Sequence, residues 1–234
     1  MTAANPRQNV TFPSTTDAGT AHGYLALPPS GRGPGVVVIQ EWWGLTDHIA
    51  EVTDRFAEAG FVALAPDLYG GQVAHDADEA ARMMSELPTD EGARLLSGAV
   101  DYLLGREETT GGTVGAVGFC MGGGFVLALA AREPRVSAAV PFYGVIPGAL
   151  PDFSGLKAEV EGHYGEQDPT VPLASLDELR ATIEAQSGIT PVFHLYPAGH
   201  AFFNDANPAT YDAPSAATAW DRTLAFLRAR LGEG

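Results

Sequence analysis

Apolar residues recur along this chain with two periods that take turns. Asn9 to Thr15 alternates apolar and polar, Asp17-Ala18-Gly19 has turn chemistry, and Thr20 to Leu27 follows, so the chain opens as two strands joined by a turn. Pro28 to Gly35 is a Pro/Gly loop, and Gly35 to Gln40 is a short β-branched run expected of a strand covered on both faces. Thr46 or Asp47 can cap the helix that follows. Ile49, Val52, Phe56 and Ala59 recur at helical spacing there, and Gly60 stops it.

The same alternation continues to the end. Strands are predicted at Phe61 to Ala65, Thr113 to Phe119, Val136 to Phe142, Ala158 to Tyr164 and Thr190 to Tyr196. Helices are predicted at Asp76 to Leu87, Asp90 to Arg106, Met121 to Arg132, Leu173 to Ser187 and Pro214 to Leu231, with Gly111-Gly112 as a break. The last helix carries Trp220, Leu224 and Leu227 on one face. Eight strands alternating with helices imply an α/β fold. The sheet is mostly parallel with helices on both faces, the first two strands are antiparallel, and 1–234 forms one domain.

One segment imitates a membrane span. Val114 to Ala131 runs 18 residues without a charge, but five glycines interrupt it. Glycine costs about 1 kcal/mol per interior helix position, so a buried strand, a sharp turn and a buried helix fit better. The N-terminus has no apolar core of the kind a signal peptide needs.

Charge and composition narrow the chemistry. With 13 Lys+Arg against 29 Asp+Glu, the net charge is −16, and the arginines are scattered. That balance argues against nucleic acid or an anionic membrane as partner. The one lysine, Lys157, is not in a phosphate-loop setting, which also argues against a Schiff base. The one cysteine, Cys120, forbids an intramolecular disulfide and suits a reducing, cytoplasmic location. Histidines and carboxylates show no metal-ligand spacing, and no cofactor is expected.

In parallel sheets ligands gather beyond the carboxyl ends of the strands. Four reactive residues fall there: Glu41, Cys120, Asp168 and His200. Cys120 lies in Gly118-Phe119-Cys120-Met121-Gly122, a nucleophile-elbow pattern with Cys in place of Ser. Two glycines permit the tight turn, and a helix N-terminus behind the sulfur favours thiolate. His200 leaves the last strand in a turn, and Asp168 ends the strand before it, where a carboxylate can orient an imidazole. Asp152 and Asp205 are rivals for that acid. The order Cys120, Asp168, His200 is the nucleophile–acid–base order of α/β-hydrolases. Glu41 follows an apolar strand directly, beside Trp42 and Trp43, so desolvation should raise its pKa. The backbone N–H groups of Trp42 and Met121 are the expected oxyanion donors, and the two tryptophans can wall an apolar pocket.

With Gln40-Glu41-x-x-Gly44, Pro66-Asp67-Leu68-Tyr69, Gly118-Phe119-Cys120-Met121-Gly122-Gly123, Phe142-Tyr143-Gly144, Gly165-x-x-Asp168 and Gly199-His200-Ala201-Phe202, the chain resembles the dienelactone hydrolases (carboxymethylenebutenolidases) from about Gly23 to Leu231. The resemblance implies an α/β-hydrolase fold and a Cys–His–Asp triad that hydrolyses a small lactone or ester through an acyl-enzyme. It also implies that Glu41 pairs with the resting thiol and takes its proton on substrate binding. Trp43, Tyr143 and Phe202 become candidate substrate-binding positions. Family members hold a substrate carboxylate with two arginines. Arg82 is the candidate for one, and Asn204 stands where the other follows the catalytic His by four positions. That departure and the acidic net charge make a neutral ester or lactone an alternative substrate. A non-catalytic ligand-binding or redox-sensing protein on the same fold is the alternative function. The expected partner is a small molecule, with the chain a monomer or small homo-oligomer.

Overall fold

A computed structural model describes residues 5–14, 19–144, 146 and 149–232. Met1 to Ala4, and Asp17 and Ala18 of the expected first turn, lie outside them. Eight strands form one sheet in the order β1-β2-β4-β3-β5-β6-β7-β8. They are β1 (Val10–Pro13), β2 (Thr20–Ala26), β3 (Gly33–Ile39), β4 (Val62–Pro66), β5 (Thr109–Phe119), β6 (Val136–Phe142), β7 (Glu159–Gly165) and β8 (Val192–Tyr196). β1 and β2 pair antiparallel, as does β2 with β4, and the ladder from β4 through β8 is parallel.

Six α-helices connect them: α1 (Asp47–Glu58), α2 (Ala77–Ser85), α3 (Thr89–Leu104), α4 (Met121–Arg132), α5 (Leu173–Ser187) and α6 (Ala213–Leu231). Thr46, rather than Asp47, caps α1: its Oγ1 accepts from the Ile49 N–H at 3.4 Å. The 18-residue apolar run divides between β5 and α4, and no helix among the described residues is long and apolar enough to cross a membrane.

The two-residue period of the central strands decides which core each side chain joins. Val37 and Ile39 of β3 pack with α3 and α4, whereas Val36 and Val38 pack with α1 and α6. All four are fully buried, each contributing roughly 1.5–3 kcal/mol relative to exposure.

Two boundaries differ from the sequence reading. Gly111-Gly112 does not break the chain; β5 begins at Thr109 and runs through both glycines. Gly111 takes φ +79°, and the pairing with β3 passes from Thr110 directly to Val114, so the two glycines lie in an unpaired bulge inside the strand. β3 likewise starts at Gly33, within the expected loop, and its register shifts between Pro34 and Gly35.

The crossing of α4 over the sheet centre leaves no room for side chains. A Cβ on Gly118 would lie 2.3 Å from the Gly122 carbonyl oxygen, and one on Gly122 would lie 2.4 Å from the Ile39 and Gln40 carbonyl oxygens. The glycines therefore let α4 begin directly on the ends of β3 and β5. Replacing Gly118 by Ala forces backbone apart and is expected to cost at least about 2 kcal/mol. Gly112→Ala, whose Cβ meets nothing within 4 Å, should stay within about 0.5 kcal/mol of the wild type. Urea unfolding of both variants checks the contrast.

Candidate active site

Cys120 sits between β5 and α4 with φ 54° and ψ −118°. A non-glycine residue rarely adopts this backbone, and the close crossing around it imposes the conformation. Its N–H is tied to the Phe142 carbonyl at 3.1 Å, and its own carbonyl accepts from the Gly123 N–H at 2.9 Å. The thiol is half-buried at the carboxyl edge of the sheet.

His200 and Asp168 arrive from the turns after β8 and β7. The His200 Nδ1 lies 2.7 Å from the Asp168 Oδ2. Asp168 Oδ1 accepts from the Thr170 N–H at 2.7 Å and the Val171 N–H at 3.3 Å. Burial alone would raise the Asp168 pKa, but His200 and these backbone donors outweigh it and hold it below the ordinary carboxylate value. An ionised carboxylate only accepts, so Nδ1 carries the proton and donates it. Burial pushes the His200 pKa down, yet hydrogen bonds and charge from Asp168 and Cys120 overcome that and bring it up to about 10. Asp168, His200 and Cys120 therefore act on one another through a single imidazole.

Glu41 follows β3 and is 3% exposed. Its Oε2 accepts from Asn204 Nδ2 at 2.7 Å. Burial raises its pKa to about 7, against the lowering effects of Asn204 and His200. The resemblance implied a pairing of Glu41 with the resting thiol. Here the carboxylate takes its hydrogen bond from Asn204, and the sulfur acts on His200. Asn204 is buried beside an acid because its amide is the donor that acid needs.

A cavity of about 210 Å³ opens over these residues. Cys120, His200, Glu41 and Asn204 reach it, and Trp42, Trp43 and Met84 give it apolar walls. The two indoles meet edge to face, with ring centroids 5.0 Å apart. Neither the Trp42 nor the Met121 N–H is spent on a hydrogen bond among the described residues, which leaves both able to serve an oxyanion. The Tyr69 hydroxyl donates to the Met121 sulfur at 3.2 Å and steadies that side chain.

Other expected positions fall elsewhere. Arg82 does not line the cavity. It lies on the exposed face of α2, paired with Glu86 one turn on at 2.7 Å, because the helix rotation that buries Ala80 and Met83 turns it to solvent. Tyr143 and Phe202 are fully buried behind the cavity. The Tyr143 ring stands edge-on to His200 at 5.1 Å and to Phe202 at 5.5 Å, so both back the imidazole. Asp152 caps the short 3₁₀ turn Phe153–Gly155, and Asp205 lies 3.0 Å from His48; Asp168 is the acid on His200. Met84, Thr170 and Asn207 line the cavity without having been singled out in the sequence. Thr170 and Asn207 lie close to the Asp168 and His200 motifs, a usable signal, whereas Met84 comes from a helix whose position depends on tertiary packing. No group of three or more metal-ligating side chains occurs among the described residues.

The chain is similar to known proteins along nearly its whole length. The family model described as the dienelactone hydrolase family matches residues 21–231. "Protein usf" of Aquifex pyrophilus is 35% identical over 88% of this chain and 92% of its own. A protein of Aquifex aeolicus (strain VF5) named "Putative carboxymethylenebutenolidase" is 32% identical over 89% of this chain and 93% of its own. The crystal structure of a dienelactone hydrolase-like promiscuous phosphotriesterase from metagenomic libraries superposes with a TM-score of 0.83. It is 28% identical, covering 95% of this chain and 98% of that one.

Glu41 also makes a stability prediction. A carboxyl whose folded pKa of about 7 exceeds its ordinary 4.5 destabilises the fold as pH rises between those values. Glu41→Gln removes that burden and should stabilise the protein by up to about 3 kcal/mol at pH 8, with the gain fading toward pH 5. Urea unfolding at the two pH values measures it, and an equal effect at both would contradict the assignment.

Proposed function

The chain belongs to the dienelactone hydrolase family, and from that premise we propose that it is a cysteine hydrolase of small lactones or esters working through an acyl-enzyme. The observation that carries the reading is that Cys120 and His200, the latter 2.7 Å from Asp168, line one apolar cavity together.

In the proposed cycle the Cys120 thiolate attacks the substrate carbonyl beside the His200 imidazolium. The oxyanion takes hydrogen bonds from the Met121 and Trp42 N–H groups. Collapse breaks the acyl–oxygen bond, and His200 gives its proton to the leaving oxygen. Acylation also removes the sulfur charge that helped raise the His200 pKa, so the imidazole becomes a better base for the next step. It takes a proton from water, the hydroxide attacks the thioester, and collapse releases the carboxylic acid and restores thiolate and imidazolium. Asp168 holds the tautomer throughout. Glu41, with a pKa of about 7, is suited to take the proton where the resting sulfur is a thiol, before the thiolate forms and the cycle begins.

A ligand-binding or redox-sensing role explains less, because a sensor thiol needs no oriented imidazole–carboxylate pair. The hydrolase reading needs no cofactor and takes a small molecule as its partner. A single reduced thiol suits a cytoplasmic location.

Cys120→Ala is expected to lower kcat/KM for 4-nitrophenyl acetate by at least about 10³-fold with an unchanged circular dichroism spectrum. Acid-quenched wild type should carry an acetyl group on the Cys120 peptide by mass spectrometry. Undiminished turnover in the variant would remove the assignment.

A further inference from the structure

We infer that the cavity accepts uncharged esters or lactones and turns away those bearing a carboxylate, and that Asn204 sets this selectivity. The inference rests on the hydrolase reading and adds the charge class of the substrate. Among the described residues, no Arg or Lys lines the cavity. Its one cationic side chain, His200, is already committed to Asp168 and Cys120. Two arginines on the helices α2 and α1 are engaged elsewhere. Arg82 pairs with Glu86, and Arg55 lies over the Phe203 and Trp220 rings while bonding Asp205.

Asn204 is the cavity residue that meets the Glu41 carboxylate. The amide supplies Glu41 with a donor that carries no charge, and its orientation is fixed from the other side. Its Oδ1 accepts from the Ala206 N–H at 3.1 Å, which turns Nδ2 toward Glu41 at 2.7 Å. The carboxylate wall of the cavity is thus satisfied by a hydrogen bond and left without a counter-ion. An incoming carboxylate would lose water, find indole and thioether surfaces, and face Glu41 with no free cation to pair with. An uncharged acyl or aryl group instead buries apolar surface on Trp42, Trp43 and Met84. Thr170 and Asn207 offer it neutral hydrogen-bonding groups.

The test compares two esters of nearly equal size, 3-acetoxybenzamide and 3-acetoxybenzoate, each rate normalised to its hydroxide-catalysed hydrolysis. Wild type should favour the amide by at least about tenfold in kcat/KM, and Asn204→Arg should move the ratio toward the carboxylate by a similar factor. Wild-type values within about twofold of each other, or an unchanged ratio in folded Asn204→Arg, would overturn the inference. If Asn204→Arg does not fold, the wild-type ratio decides alone. The two readings fail separately: equal turnover of both esters that is lost in Cys120→Ala sinks only the charge selectivity. Turnover that survives Cys120→Ala, or turnover of neither ester, sinks the hydrolase reading beneath it.

Discussion

The backbone-to-backbone contact where α4 leaves β5 is the constraint on which the site depends. Gly118 and Gly122 let the helix start against the carbonyls of β3, and the residue between them must then turn sharply. Cys120 takes φ 54° as a result, and Tyr143 and Ala201 also have positive φ, at 37° and 58°. These are the three non-glycine residues with positive φ among the described ones, and all border the cavity or the His200 ring. Each such conformation costs on the order of 1–3 kcal/mol. The fully buried cores on both faces of the sheet hold them in place, so strain is concentrated at one edge of an otherwise regular fold.

The electrostatics of the site follow from which donors each buried group meets. Asp168 and Glu41 are both nearly inaccessible, yet one is lowered and the other raised. Asp168 has two backbone N–H groups and an imidazole, whereas Glu41 has one neutral amide, and a single neutral hydrogen bond does not offset the loss of water. Two histidines show the same rule. His163 is enclosed by the Tyr196 hydroxyl at 2.8 Å and the Thr223 hydroxyl at 3.0 Å, and burial drives its pKa well below the ordinary value. His200 meets a carboxylate and a sulfur, and its pKa goes up. A carboxylate neighbour does not by itself reverse the shift, since His48 lies 3.0 Å from Asp205 and burial still lowers its pKa; at His200 the carboxylate and the sulfur together outweigh burial.

Most of the architecture was legible in the sequence because its signals are local. Gly60 at φ 105° stops α1, the two glycines flank Cys120, and the run from Gly35 to Gln40 is hydrophobic on both faces because the strand is covered on both faces. That Glu41, Cys120, Asp168 and His200 gather at one edge of the sheet was legible for a related reason: each sits near the end of a strand that could be recognised. What escaped depends on how separate elements meet. Gly111-Gly112 reads as a break, but it is an unpaired bulge inside β5, with Thr109-Thr110 and Val114 paired to β3 on either side. Arg82 reads as an anion clamp, but the rotation of α2 turns it to solvent. The Glu41–Asn204 bond joins residues 163 positions apart, and spacing alone cannot reveal such a pair.

That long-range pair also relates the acidic composition to the chemistry. A net charge of −16 sets an unfavourable background for any anion approaching the cavity, though salt screens it beyond about 8–10 Å. Inside, the cost is local and unscreened, because Glu41 is desolvated and its donor is neutral. A cation at position 204 would lower the energy of an ionised Glu41 and of an anionic substrate together, while weakening Glu41 as a proton acceptor. A neutral amide does the reverse. It leaves the Glu41 pKa raised to about 7 by burial, and it offers an anionic substrate no counter-charge. In the proposed cycle, proton exchange at Glu41 and discrimination by substrate charge both follow from one side chain, so a change at Asn204 that alters one is expected to alter the other.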